Sequence, residues 1–239
     1  MSDLPKKLAA AHEVKHLLDE LLARAKVNDS GEARVSATLC LTIAEQFAAA
    51  LCLIEGGFSS HAPIIVRSML EALASLFNLV HDAKYLDQLR FDNARSDVIL
   101  FDEYAADSEM KENKDAIAKL AEWKAKAQPV RDELAARGFR RQDVIEKFKK
   151  AKIFQCYVTY RVFCSFAHNQ LTTLIARHGG KFELRYHTDA PYESIASTLS
   201  VAVSILCQAA NTLPKYTNIS AEELGKAIDA ADNLWTATG

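Results

Sequence analysis

The sequence predicts an all-α, multi-helix bundle, and three observations carry that prediction. Only eight glycines and five prolines interrupt 239 residues. The segments between them repeat apolar residues at three- and four-residue intervals, the period of a helix face. Four of those segments carry almost no charge, which marks helices with little solvent surface. At 49% hydrophobic, a chain of this length can build one core without disulfides or metal, so a single helical domain over 1–239 is expected.

The elements follow in order. A first helix runs from Leu4 to Ala25, with Val14, Leu17, Leu18, Leu21, Leu22 and Ala25 on one face. Asn28 to Gly31 stops it, and a second helix runs to Gly56-Gly57, a strong stop signal. Ser59 or Ser60 caps a third helix with Pro63 in its first turn, ending near Asp82. Residues 83–106 predict a fourth, more amphipathic helix. Residues 107–152 hold 13 Lys or Arg and nine Asp or Glu, with Pro129 and Gly138 as internal breaks, and predict a charged, solvated helical excursion. A long helix is expected from about Ile153 to His178, ending at Gly179-Gly180. The alternation of Phe182, Leu184 and Tyr186 in 182–187 permits one short strand or hairpin arm. Two further helices close the chain, the last opened by the capping box Ser220 and Glu223.

Composition narrows the classes of function. Lys plus Arg total 29 against 31 Asp plus Glu, a net charge of -2, so no global field draws nucleic acid or an anionic membrane. The five cysteines, Cys40, Cys52, Cys156, Cys164 and Cys207, are scattered through apolar runs with no C-x-x-C pair, and read as reduced core residues. No signal peptide is recognisable at the N-terminus. The uncharged stretch Ser194 to Leu213 has the length of a membrane span, but eight of its 20 residues are Ser, Thr, Asn or Gln. It reads as a helix buried in protein. The expectation is a soluble, cytoplasmic chain with no membrane span and no cofactor or metal.

The charge-poor helices isolate the candidate chemistry. Residues 35–54 carry only Glu45, 62–80 only Arg67 and Glu71, and 153–176 only Arg161 plus the titratable His168; 194–213 carry none. These four should form an inner four-helix core. Isolated charges there must pair or line a crevice, because an unpaired buried charge is costly. Arg67 and Glu71 lie one turn apart, with Ser75 and Asn78 continuing the stripe. Arg161 and His168 lie two turns apart, with Ser165 and Thr172 between and beyond. Facing stripes would enclose a small polar pocket of Arg67, Glu71, Arg161 and His168, supported by Glu45, Asn78, Tyr160 and Ser165. The competing reading is an ordinary ion pair and a satisfied core histidine.

The segment around Arg67-Ser68-Met69-Leu70-Glu71 resembles the R-S-x-x-E helix of a bacterial family of uncharacterised helical proteins. Tyr160, Ser165 and His168 resemble that family's second signature, and the likeness covers roughly residues 35–180. It implies an all-α fold and supplies no activity. Arg161, six residues, then His168 is similar to the arginine-histidine signature of HEPN-type helical ribonucleases, which are commonly paired. That resemblance implies metal-independent RNA cleavage, with a homo-oligomer and RNA as partners. The histidine would move a proton and the arginine offset phosphate charge. The run 137–152 has seven basic and two acidic residues, and Arg137, Arg140, Arg141, Lys147, Lys149 and Lys150 offer a local RNA-attracting patch. Val162 departs from the signature, which often has a polar residue there.

Two alternatives stand beside the ribonuclease. One is a non-enzymatic module that binds a ligand or partner and whose polar core is structural. The other is a zinc enzyme, prompted by His12-Glu13-Val14-Lys15-His16, a literal H-E-x-x-H that places both imidazoles on one helix face. Lys15 inside the motif and the lack of a further histidine argue for an exposed polar face instead.

Overall fold

In the computed structural model, which describes residues 3–179, 182–186 and 190–238, the helical periodicity resolves into ten α-helices. They are α1 (Leu4–Arg24), α2 (Gly31–Glu55), α3 (Ala62–His81), α4 (Tyr85–Ala106), α5 (Lys114–Ala136), α6 (Val144–Lys150), α7 (Cys156–Ala167), α8 (Leu171–His178), α9 (Tyr192–Ala210) and α10 (Ala221–Thr236). The all-α bundle expected from the sequence is the fold found. Local chemistry sets several boundaries. Ser30 accepts from the Ala33 N–H to start α2, and Ser220 accepts from Glu223 to start α10. Gly57 takes φ +78° just past α2, a conformation that a side chain would strain.

The chain divides into two compact units, Met1–His81 with Val144–Gly239, and Asp82–Asp143. In the larger unit α3 is central, packed by α2, α6, α7 and α9. Its Val66, Met69, Leu70, Leu73 and Leu76 are buried with Ile43, Phe47 and Leu51 of α2 and Leu199, Ala202 and Leu206 of α9, so the charge-poor helices share one core. Helix α1 packs against α9 and α10. In the smaller unit α4 and α5 form a hairpin around Ala94, Val98 and Ala127, with Val130 against them. Arg137 Nη2 donates to Asp87 at 2.5 Å and Gln88 Nε2 to the Arg140 carbonyl at 2.9 Å, so the start of α4 lies beside the end of α5. Helix α5 continues through Pro129 rather than breaking there. The helix loses one hydrogen bond at an exposed position, while Ala127 and Leu134 stay buried on its inner side.

Three other expectations are corrected. The long helix over 153–178 is interrupted, because Asn169 adopts φ +48° between α7 and α8. The Gln170 N–H then bonds the Ser165 carbonyl at 3.2 Å, a helix C-terminal closure in which Asn replaces the usual Gly. The hairpin arm is not a strand among the described residues. Gly179 and Leu184 make one isolated antiparallel bridge, while Phe182, Leu184 and Tyr186 are 89%, 96% and 84% exposed; His187 lies outside the described residues. Alternation without a partner edge pairs nothing.

The cytoplasmic assignment is also overturned. Helical stretches Gly31–Glu55, Ser59–His81 and Tyr192–Lys215, of 25, 23 and 24 residues, are each long and apolar enough to cross a membrane. Counting Ser, Thr, Asn and Gln in one stretch undervalued its Ala, Val, Leu and Ile. The same question applies to the other two stretches, which reach that threshold as well.

Candidate functional site

Arg67, Glu71 and Tyr160 meet between α3 and α7. Arg67 Nη2 donates to Glu71 Oε1 at 2.8 Å and to the Tyr160 hydroxyl at 3.0 Å, while that hydroxyl donates to the same Glu71 oxygen at 2.8 Å. Arg67 Nε donates to Cys164 Sγ at 3.3 Å. The four residues come from one-turn spacings on each helix, 67 with 71 and 160 with 164, so two adjacent turns dock face to face. Burial, then the Glu71 carboxylate, raise the Tyr160 phenol far above its ordinary range, so the phenol keeps its proton and donates it. Burial works against the Arg67 charge, but bonds to Cys164, Tyr160 and Glu71 outweigh it. The network ties α3 to α7, while the Glu71 side chain stays 41% exposed and also lines a smaller cavity of about 270 Å³.

The other sequence-singled residues stand apart from this triad. Arg161 and His168 are exposed, the first on α7 and the second at its C-terminal cap, so neither is buried as expected. With Tyr160 directed at α3, the next residue is turned about 100° away. Glu45 is exposed on α2. Asn78 is buried and donates to the Lys147 carbonyl at 3.1 Å, tying α3 to α6. Ser165 Oγ donates within its own helix to the Val162 carbonyl at 2.7 Å.

The zinc motif and the basic run are also dispersed. His12 pairs with Glu55 at 2.6 Å and His16 with Glu20 at 3.5 Å. Among the described residues no group of three or more His, Cys, Asp or Glu is placed to hold a metal. Within the basic run, Arg137 is engaged by Asp87 and Glu133, and Lys149 lies 5.5 Å from the Phe154 ring centre. Arg140 donates to the Arg141 carbonyl at 3.3 Å. Arg137, Arg140 and Arg141 belong to the smaller unit, and Lys147, Lys149 and Lys150 to α6 of the larger.

A different site emerges beside α7. The break at Asn169 lets α8 turn away from α7. Between them, the Ser59–His61 turn preceding α3 and the first turns of α9 lies a cleft of about 600 Å³. Its lining is mainly carbon from Pro63, Val162, Phe163, Phe166 and Ala176, interspersed with Ser and Thr hydroxyls that include Ser165 and Thr172. Arg177 of α8 lines it and is 7% exposed. Its Nη2 donates to the Ser60 carbonyl at 2.6 Å and its Cζ lies 5.4 Å from the Phe166 ring centre, but Nε has no partner. Burial lowers its pKa, and a buried donor left unpaired costs about 1–3 kcal/mol. Sequence reasoning missed Arg177 because the charge count of that segment ends at residue 176. Its spacing of four from the buried Thr173 is the available signal.

Residues 33–184, more than half of the chain, match the model of a family of unknown function. No curated protein and no solved structure matches the chain.

Proposed function

The chain belongs to that family, DUF5677, whose description carries no activity, and from its geometry we propose that it is a ligand-binding module with the cleft beside α7 as its binding site. The observation that carries this reading is the cleft itself, about 600 Å³ of mostly apolar surface with a few fixed polar groups. That is the size and character of small-molecule sites. The Arg67–Glu71–Tyr160 network ties α3 to α7. A neutral apolar fluorophore, N-phenyl-1-naphthylamine, tests the reading. It should bind saturably with one site per chain and lose binding in Ser197→Trp, which fills the cleft from an exposed position on α9. Binding of equal strength in that variant, or none in the wild type, rejects it.

One observation favours a second reading. Arg161 and His168 are both exposed on α7 and its cap, two helical turns apart and on one edge. That exposure supports metal-independent RNA cleavage, His168 moving the proton and Arg161 meeting the phosphate. Cleavage by purified protein that disappears in both His168→Ala and Arg161→Ala supports it, and cleavage that survives either substitution rejects it.

A further inference from the structure

We propose that the cleft takes an amphipathic carboxylic acid, an apolar body carrying one carboxylate, and that Arg177 is the counter-ion of that carboxylate. The inference rests on the cleft being the binding site and names what it selects.

Charge is scarce along the described lining, where Arg177 and Glu193 are the charged side chains. Glu193 is exposed in the first turn of α9, and among the described residues no carboxylate forms an ion pair with Arg177. Arg177 as a residue is more than nine-tenths buried, yet its contacts are one backbone carbonyl and one aromatic ring, both neutral, and its enclosed Nε is unbonded. Desolvated charges are ordinarily held against an opposite charge. Here no such partner stands among the described residues. The planar fork of arginine matches a carboxylate through paired hydrogen bonds.

The number of charges sets the ligand's valence. One buried cation and one carboxylate, Glu193, among the described lining residues favour a single negative charge over the dianion of a phosphate monoester. The carbon surface of Val162, Phe163, Phe166 and Ala176 then receives the hydrocarbon or aromatic body. His61 belongs to the same neighbourhood. Burial, then Arg177 and His178, favour its neutral form, so it adds no second cation.

The experiment displaces N-phenyl-1-naphthylamine from the full chain with octanoate, octanamide and octyl phosphate. Octanoate should bind about tenfold or more tightly than octanamide, the range of a charge-assisted hydrogen bond. That preference should vanish in Arg177→Gln and persist in Arg177→Lys. Equal binding of octanoate and octanamide, or a preference that survives in Arg177→Gln, overturns the inference. Tighter binding of octyl phosphate than of octanoate overturns the choice of carboxylate. If the neutral fluorophore binds and the preference is absent, only this inference falls; if neither fluorophore nor octanoate binds, the cleft reading falls with it. Should Arg177→Gln fail to fold, the wild-type ratio together with Arg177→Lys decides.

Discussion

The Tyr160 proton sits on the phenol because Glu71, 2.8 Å away, accepts it while Arg67 neutralises the carboxylate. Tyr160→Phe removes a donor from a partly buried charged acceptor and should lower stability by about 1–2 kcal/mol. Urea unfolding measures that loss. Binding of the neutral fluorophore should be unchanged, since Tyr160 is not part of the cleft lining. Two histidines report pH at the same scale. Burial first and then nearby cations, Arg177 and His178 for His61 and Lys215 and Lys152 for His81, lower both pKa values from 6.5. The unfolded chain therefore takes up those protons at higher pH than the folded one. Their contribution to stability is complete above that value and declines as pH falls below it. The urea midpoint should be lower at pH 5.5 than at pH 7.5, and an NMR titration should place His61 below 6.5. The Arg67–Glu71 pair is legible in the sequence from its spacing alone. The surroundings of Arg161 and His168 are not, because low charge along a helix does not say which edge its neighbours cover.

Element boundaries show where periodicity stops informing. From Ile153 to His178 the apolar pattern runs on without glycine or proline, so one helix is the natural expectation. The interruption rests on Asn169 in the left-handed region, which asparagine tolerates better than other side chains. Asn169→Ala should cost about 1 kcal/mol and Asn169→Gly close to none, a contrast that thermal unfolding resolves. In α3 the pattern and the structure agree, since every third or fourth residue from Val66 to Leu76 is buried. Leu73→Ala there should cost about 2–5 kcal/mol through lost burial and an unfilled cavity. The same apolar richness that identifies core helices also makes three stretches long and apolar enough to cross a membrane. Composition does not separate these two uses of an apolar helix.

For the whole molecule, the two compact units are joined where the chain leaves α3 and re-enters at α6. The Asn78 side chain donates to the Lys147 carbonyl at 3.1 Å, so the ends of the larger unit's two segments are held together within it. Replacing residues 82–143 with a short Gly/Ser linker should therefore leave a cooperatively unfolding helical protein that still binds the fluorophore. Circular dichroism and displacement titration check both parts, and a noncooperative melt would contradict the expectation. Charge density in 107–152 is plain in the sequence, whereas the pairing of α4 with α5 depends on a thin seam of Ala94, Val98 and Ala127 that composition does not reveal. The cleft was equally hidden, because it exists only once the segment after α7 changes direction.

Helix α8 has eight residues and buries only Thr173 and Arg177. Arg177 both fastens it to the Ser60 carbonyl and lines the cleft. An occupant that draws on the same guanidinium competes with that fastening or reinforces it. Filling of the cleft is thereby converted into a change in how often a short surface helix unravels, and amide exchange along residues 171–178 would register occupancy without any probe attached to the ligand.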